Sequence, residues 1–154
     1  MEIRKATLKD LKDILALSIQ EERYFKRKEK EDIYAMKDKK SIAQLIKEKL
    51  TNKDKIIFIA VKDSKTIGFL FGGIWKTPAY EIAKKGVLDD VFVIKEHRNQ
   101  GIGTKLIKMF FEWLKEKNVK YCLLYVSRNN KEGLKLYQKL GFEINYFEML
   151  KKLK

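Results

Sequence analysis

The chain has 154 residues, 45% of them apolar, and a formal net charge of +14 with a pI near 9.7. That length predicts one domain over residues 1–154 with a core of its own. No run approaches the roughly 18 apolar residues of a membrane span, the charged start M-E-I-R-K-A-T-L-K-D does not read as a secretory signal, and the lone Cys122 excludes an internal disulfide, so a cytoplasmic protein is expected.

The positive charge admits a nucleic-acid partner, a phosphate-rich cofactor or plain solubility. Arg supplies only five of the 35 cations and Lys is scattered along the chain, which favours solvated lysine faces over base or phosphate readout.

Taken in order, Glu2 to Lys5 reads as a first strand. Thr7 with Asp10 resembles a capping box with Asp in place of Glu or Gln. Leu8, Leu11, Ile14, Leu15, Leu17 and Ser18 then lay an apolar stripe on a helix running to about Arg23. Residues 21–40 are the most charged and least patterned stretch, part helix and part loop. Tyr24, Phe25, Tyr34 and Met36 either line a binding pocket there or form the apolar face of a second helix. Ser41 caps a helix to Leu50 with Ile42, Leu45, Ile46 and Leu50 on one face. Ile56 to Lys62 and Thr66 to Trp75 form an antiparallel hairpin, in which Gly68, Gly72 and Gly73 mark irregularity or close approach. Lys76 to Gly86, with the single Pro78, is a loop over one end of the sheet. Later segments read as a strand from Lys120 to Val126, a helix from Asn130 to Leu140 ended by Gly141, and a last strand or hairpin from Phe142 to Lys152.

The strongest pattern lies between these halves, at Arg98 to Leu106, R-N-Q-G-I-G-T-K-L. The apolar run Val87 to Ile94, V-L-D-D-V-F-V-I, precedes it and reads as a buried strand. Ile102, Leu106, Met109, Phe110 and Trp113 follow at helical spacing and predict a helix over 102–117. Two glycines therefore fall between a strand and a helix N-terminus, where orphan amides and the helix dipole suit a diphosphate. The alternative is a turn that needs glycine for its geometry alone. Leu106 stands where G-x-G-x-x-G needs its third glycine, and Gly103-Thr104-Lys105 is not the P-loop order, so neither of those nucleotide motifs applies.

Arg98-x-x-Gly101-Ile102-Gly103 after a strand ending in Val93 resembles the cofactor motif of the GNAT family of N-acetyltransferases. A second block, Asn130-x-x-Gly133-x-x-Leu136-Tyr137-x-x-x-Gly141-Phe142, resembles that family's N-x-x-A-x-x-L-Y-x-x-x-G-F. The opening Ile3 to Leu11 resembles its usual N-terminal strand and helix start. The resemblance spans nearly the whole chain. It implies an α+β fold of three α/β/α layers, with a mixed, mostly antiparallel sheet of about six or seven strands and about four helices.

It also implies transfer of acetyl from acetyl-CoA to a primary amine. The main chain of Val91, Phe92 and Val93 would pair with the pantetheine arm, and one of their N–H groups would stabilise the oxyanion. Arg98, Asn99, Gln100, Gly101, Ile102, Gly103 and Thr104 would hold the pyrophosphate, and Asn130 the pantetheine or diphosphate region. Tyr137 would protonate the leaving thiolate, since a phenol is neutral at pH 7 and can donate; otherwise it is a tyrosine packing its helix on the sheet.

Asp89 and Asp90 are consecutive acids in an apolar strand, where unpaired burial is costly. Strict alternation sends them to opposite faces, whereas a β-bulge would bring both to one cleft. L-D-D-V-F-V before R-x-x-G-I-G resembles the polyamine and diamine branch, which implies Asp89 as base through water and Asp90 as binder of a cationic acceptor. The alternative is one solvated acid and one that caps a loop or pairs with Lys. Tyr24 and Glu81 join Asp90 as candidate acceptor contacts. Branches that act on ribosomal N-termini or histones place their acids where this chain has Tyr125 and Val87. His97, the sole histidine, reads as a packing or exposed aromatic, and no metal is expected.

Two other functions stay open: a protein or peptide acetyltransferase acting on Lys or an N-terminal amine, and a nucleic-acid-binding or regulatory protein that keeps the fold. The expected partners are acetyl-CoA and an amine, with no membrane, and a homodimer through the last strands.

Overall fold

A computed structural model describes residues 1–27 and 36–153. Its elements run β1 (Glu2–Lys5), α1 (Leu11–Lys26), α2 (Lys39–Thr51), β2 (Lys55–Lys62), β3 (Lys65–Lys76), β4 (Lys84–Val93), α3 (Ile102–Glu116), β5 (Cys122–Leu124) and α4 (Lys131–Lys139). The strands lie side by side in sequence order, antiparallel throughout except for the parallel pair β4–β5.

Helices cover both faces, which is why β2 and β3 read as near-continuous apolar runs rather than as alternation. On one face α1 and α2 pack Ile14, Leu17, Ile42 and Ile46 against Ile57, Ile59, Phe69, Phe71 and Phe92. On the other, α3 packs Ile102, Leu106, Ile107, Phe110 and Leu114 against Phe58, Leu70 and Leu88, with Tyr137 of α4 at the margin. Each fully buried Ile, Leu or Phe contributes roughly 1.5–3 kcal/mol of transfer free energy.

Local start signals work as the sequence predicts, with one exchange. Asp10 accepts from the Thr7 amide at 2.8 Å and is clamped by Arg4 at 2.7 and 2.9 Å, tying β1 to the head of α1. At α2 the cap is Asp38, which accepts from the Ser41 amide at 2.7 Å, so Ser41 lies inside the helix it was expected to start.

The late chain departs further from expectation. Among the described residues the sheet has five strands, not six or seven. The strand expected over Lys120–Val126 shrinks to Cys122–Leu124, and the one expected over Phe142–Lys152 is not a strand among the described residues. Strand formation needs a neighbour to take the backbone hydrogen bonds, and the described chain offers none to this segment. The large apolar side chains there, from Ile144 to Leu153, lie on the surface.

β4 outruns its neighbour. β5 pairs with β4 only through Gly86, Val87 and Leu88, so from Asp89 onward the two strands part and leave a cleft with one free β4 edge.

Candidate active site

A register shift marks the point where the cleft opens. Phe71 of β3 faces Asp90 and Gly72 faces Leu88, which leaves Asp89 as the extra residue of a β-bulge. Leu88 packs on the α3 side. Asp89 reaches Lys49 of α2, and Asp90 stands opposite Phe71, whose side chain belongs to the α1–α2 side. The bulge thus turns both carboxylates to one face, as the sequence allowed. Gly72 makes room for it: a Cβ there would lie 2.6 Å from the Phe110 ring and 3.0 Å from the Val87 carbonyl oxygen.

The same shift sets which main-chain groups are free. Ile94 donates to Ile67 of β3. Along an antiparallel ladder alternate residues point to opposite sides, so Phe92 also turns its N–H and C=O to β3, while Val91 and Val93 turn theirs to the open edge. Phe92, expected to pair with the pantetheine arm, has its main chain committed to the sheet and its side chain to the core. The Val93 carbonyl accepts from Arg98 Nε at 2.9 Å.

Lys49 and Glu21 complete the acidic centre, and sequence reasoning missed both. Lys49 is 7% exposed and its ammonium pairs with Asp89. Glu21 of α1 is 8% exposed, and the charges that act on it are the acids Asp90 and Glu22. A signal existed. Glu21 continues the stripe of Ile14, Leu17 and Ser18, and Lys49 continues that of Ile42 and Ile46, so helical spacing alone turns both to the core. Ser18, one turn before Glu21, is buried with its hydroxyl unpaired among the described residues.

These groups change one another's acidity. Burial above all, then Asp89, pushes the Asp90 carboxyl up to about 6, with Glu22 adding to the rise and Lys49 opposing it. Burial, then Asp90 and Glu22, holds Glu21 well above the usual carboxylate range. Tyr137 is buried on α4, and burial followed by Asp90 and Glu21 pushes its phenol up to about 12. Two acids and a phenol therefore sense one another across the mouth of the cleft.

At the far end, the turn into α3 has the form that an anion needs. Asn99 and Gly101 take left-handed backbone, φ 61° and 74°, and a Cβ on Gly101 would meet nothing within 4 Å. The first amides of α3, from Ile102 to Thr104, have no acceptor within the helix, and Lys105 is the first to bond back, to the Gly101 carbonyl at 3.0 Å. Gln100 and Gly101 are exposed beside them. A diphosphate at this turn and an extended arm along the free β4 edge both fit the residues present.

Other predicted contacts are placed differently. Arg98 is a brace: besides Val93, its guanidinium lies over the rings of Tyr24, 4.5 Å away, and Phe92, 5.5 Å away. Tyr24 also donates to Glu132 of α4 at 3.3 Å, so it bridges α1 to α4. Asn130 caps α4 by accepting from the Gly133 amide at 3.0 Å; a Cβ on Gly133 would press on that side chain at 2.6 Å. Glu81 is exposed in the loop between β3 and β4, and no contact joins it to Asp89 or Asp90 among the described residues. Tyr125 is exposed and Val87 buried. Tyr34 lies outside the described residues.

The acetyltransferase (GNAT) family model matches residues 14–142. An uncharacterized N-acetyltransferase of Archaeoglobus fulgidus is 30% identical over 137 residues, 89% of each chain. A spermidine N(1)-acetyltransferase of Thermoplasma acidophilum is 27% identical over 150 residues, 94% of this chain and 89% of that one. In fold, the chain is similar to an aminoglycoside N-acetyltransferase solved in complex with CoA, with a TM-score of 0.80 at 21% identity over 99% of this chain and 94% of that one.

Proposed function

The chain belongs to the acetyltransferase (GNAT) family, and we propose that its acceptor is a small polyamine- or diamine-like primary amine. It is an acyltransferase that uses acetyl-CoA, whose thioester supplies the activated acetyl group. One observation carries the choice of acceptor: the buried Glu21 and the half-buried Asp90 share the cleft with Asp89 and Tyr137 in a chain of net charge +14. Keeping unpaired acids buried is costly, and a cationic ligand is the partner that offsets the cost. The likeness to a spermidine acetyltransferase supports the same reading.

An alkyl ammonium, with a pKa near 10.4, must lose a proton before it attacks. Asp89 is ion-paired with Lys49, which suits it to orient a second cationic group. Asp90, with Glu21 beside it, is the better base, because a carboxyl near 6 both accepts a proton and is free to do so at neutral pH. The Val91 and Val93 amides on the free edge are the donors for the negative charge that develops on the thioester oxygen. Tyr137, kept protonated by its raised pKa, delivers a proton to the departing sulfur. Overall the acceptor ammonium gives up two protons: one replaces the proton that Tyr137 donates and one passes to solvent.

Steady-state release of free coenzyme A from acetyl-CoA tests this across spermidine, spermine, putrescine, a Lys peptide and an N-terminal peptide. Turnover of the small amines is expected, reduced about 10²- to 10⁴-fold in Asp90→Asn and lowered in Tyr137→Phe. Turnover confined to peptides would overturn the acceptor assignment.

A further inference from the structure

Building on the small-amine acceptor above, on which this rests, we propose that Lys49 is a specificity-determining residue: its ammonium fills a cation subsite in the acceptor cleft, so the cleft takes acceptors with two ammonium groups and rejects a third. The preferred acceptor is then a diamine.

Helical spacing puts Lys49 on the buried side of α2, one turn after Ile46 and two after Ile42. It is the only buried cation among the described residues. Lysine is almost never buried without a partner, because its ammonium loses hydration there. Two groups stand in for the water. Oδ2 of Asp89 accepts from Nζ, and Nζ lies over the ring of Phe71, 5.7 Å from its centroid. Phe71 stacks on Phe69 at 4.4 Å and stands opposite Asp90 in the β3–β4 register. A carboxylate and an aromatic face are the two elements of an alkyl-ammonium site. Lys49 carries the same group as the acceptor, an ammonium at the end of a methylene chain. The subsite fits that group, and the chain itself occupies it.

A purely structural role explains the pair poorly. Replacing a buried ion pair by apolar groups is often neutral or stabilising, and the neighbours of Lys49 on its own face, Ile42 and Ile46, are apolar already. What the ammonium does change is the charge left for a ligand. Glu21, Asp89 and Asp90 gather at the cleft, and Lys49 neutralises one of them. Lys49 also acts on Asp90, whereas the charges that act on Glu21 are acids. The reacting nitrogen takes Asp90, with Glu21 beside it, and a second ammonium takes Oδ1 of Asp89. A third ammonium meets Lys49 where it needs a carboxylate, and like charges at that range repel.

The test measures kcat and KM of the full chain, at constant ionic strength, with putrescine, cadaverine, spermidine and spermine, for the parent, Lys49→Met and Lys49→Gln. Met keeps a flexible apolar stem over Phe71, and Gln keeps a hydrogen-bond donor for Asp89; neither keeps the charge. The parent should show its highest kcat/KM with the diamines. Both variants should raise the ratio of kcat/KM for spermine to that for putrescine by about ten-fold or more, mainly through a lower KM for spermine. A merely structural role would move all the amines together. Thermal melts and acetyl-CoA binding verify that the variants fold, and if neither does, the parent's own ranking decides. A parent that prefers spermine, or folded variants that keep the parent's ratio, would overturn the proposal and leave the small-amine reading standing. A parent that releases coenzyme A with peptides alone would sink that reading and the role of Lys49 with it.

Discussion

Asp90 is the residue on which stability and activity pull apart. Burial and Asp89 raise its carboxyl to about 6, above the ordinary value near 4. Between those values the folded chain binds more protons than the unfolded one, so stability falls as pH rises through the window and stays lower at pH 7. Asp90→Asn should therefore raise the stability at pH 7 by about 1–3 kcal/mol while abolishing most turnover, and the gain should vanish below pH 4; thermal melts across pH 3–8 measure it. The rate has the opposite sign in the mechanism proposed above, because Asp90 as the proposed base must be deprotonated. For the parent, kcat/KM should climb as pH rises through about 6. Lys49→Met removes the one cation that opposes the rise, so its profile should move to higher pH. A profile in Asp90→Asn identical to the parent's would remove Asp90 from the role of base.

At the scale of the element, the bulge in β4 has two consequences that one shift of register produces together. It gathers Asp89 and Asp90 on the face of α1 and α2, and it turns the Val91 and Val93 amides to the free edge. Gly72 is what lets β3 and α3 close over it. Gly72→Ala sets a methyl 2.6 Å from Phe110, a ring with no surface exposed, and close to the Val87 backbone. Overpacking of this kind costs about 1–3 kcal/mol. A urea titration should show that loss, together with reduced turnover that Gly101→Ala, at the other end of the cleft, reaches by a different route: strain at φ 74° rather than a clash.

At the scale of the whole molecule, a net charge of +14 repels itself and also repels the cationic acceptor proposed here. The acids answer this locally: Glu21 is buried and Asp89 and Asp90 are half-buried at the cleft, while the lysines are scattered along the chain, and screening confines exposed charges to about 8–10 Å at physiological salt. Raising the salt from about 10 mM to 150 mM should therefore raise the melting temperature, since self-repulsion is screened more than the Lys49–Asp89 pair. A melting temperature that falls with salt would mean that ion pairs, not repulsion, dominate. No described helix is long and apolar enough to cross a membrane.

Much of the molecule was legible in one dimension. Periodicity located the helices and inner strands, because residues that must face a core repeat with the period of their backbone. The glycine turn before α3 and the Asn130-to-Phe142 block pointed to the family through local chemistry, which spacing along the chain preserves. The acidic centre was legible only in part. Asp89 and Asp90 stood out as acids within an apolar strand, but Glu21 and Lys49 come from helices distant in sequence, and whether they meet β4 depends on how α1 and α2 pack. The same holds for Arg98: its charge reads as a phosphate ligand, and only the fold shows that Val93, Tyr24 and Phe92 lie around it. The segment after Phe142 shows the reverse case: its pattern is that of a strand, yet a strand exists only where another backbone meets it, and that partner is a matter of tertiary and quaternary structure.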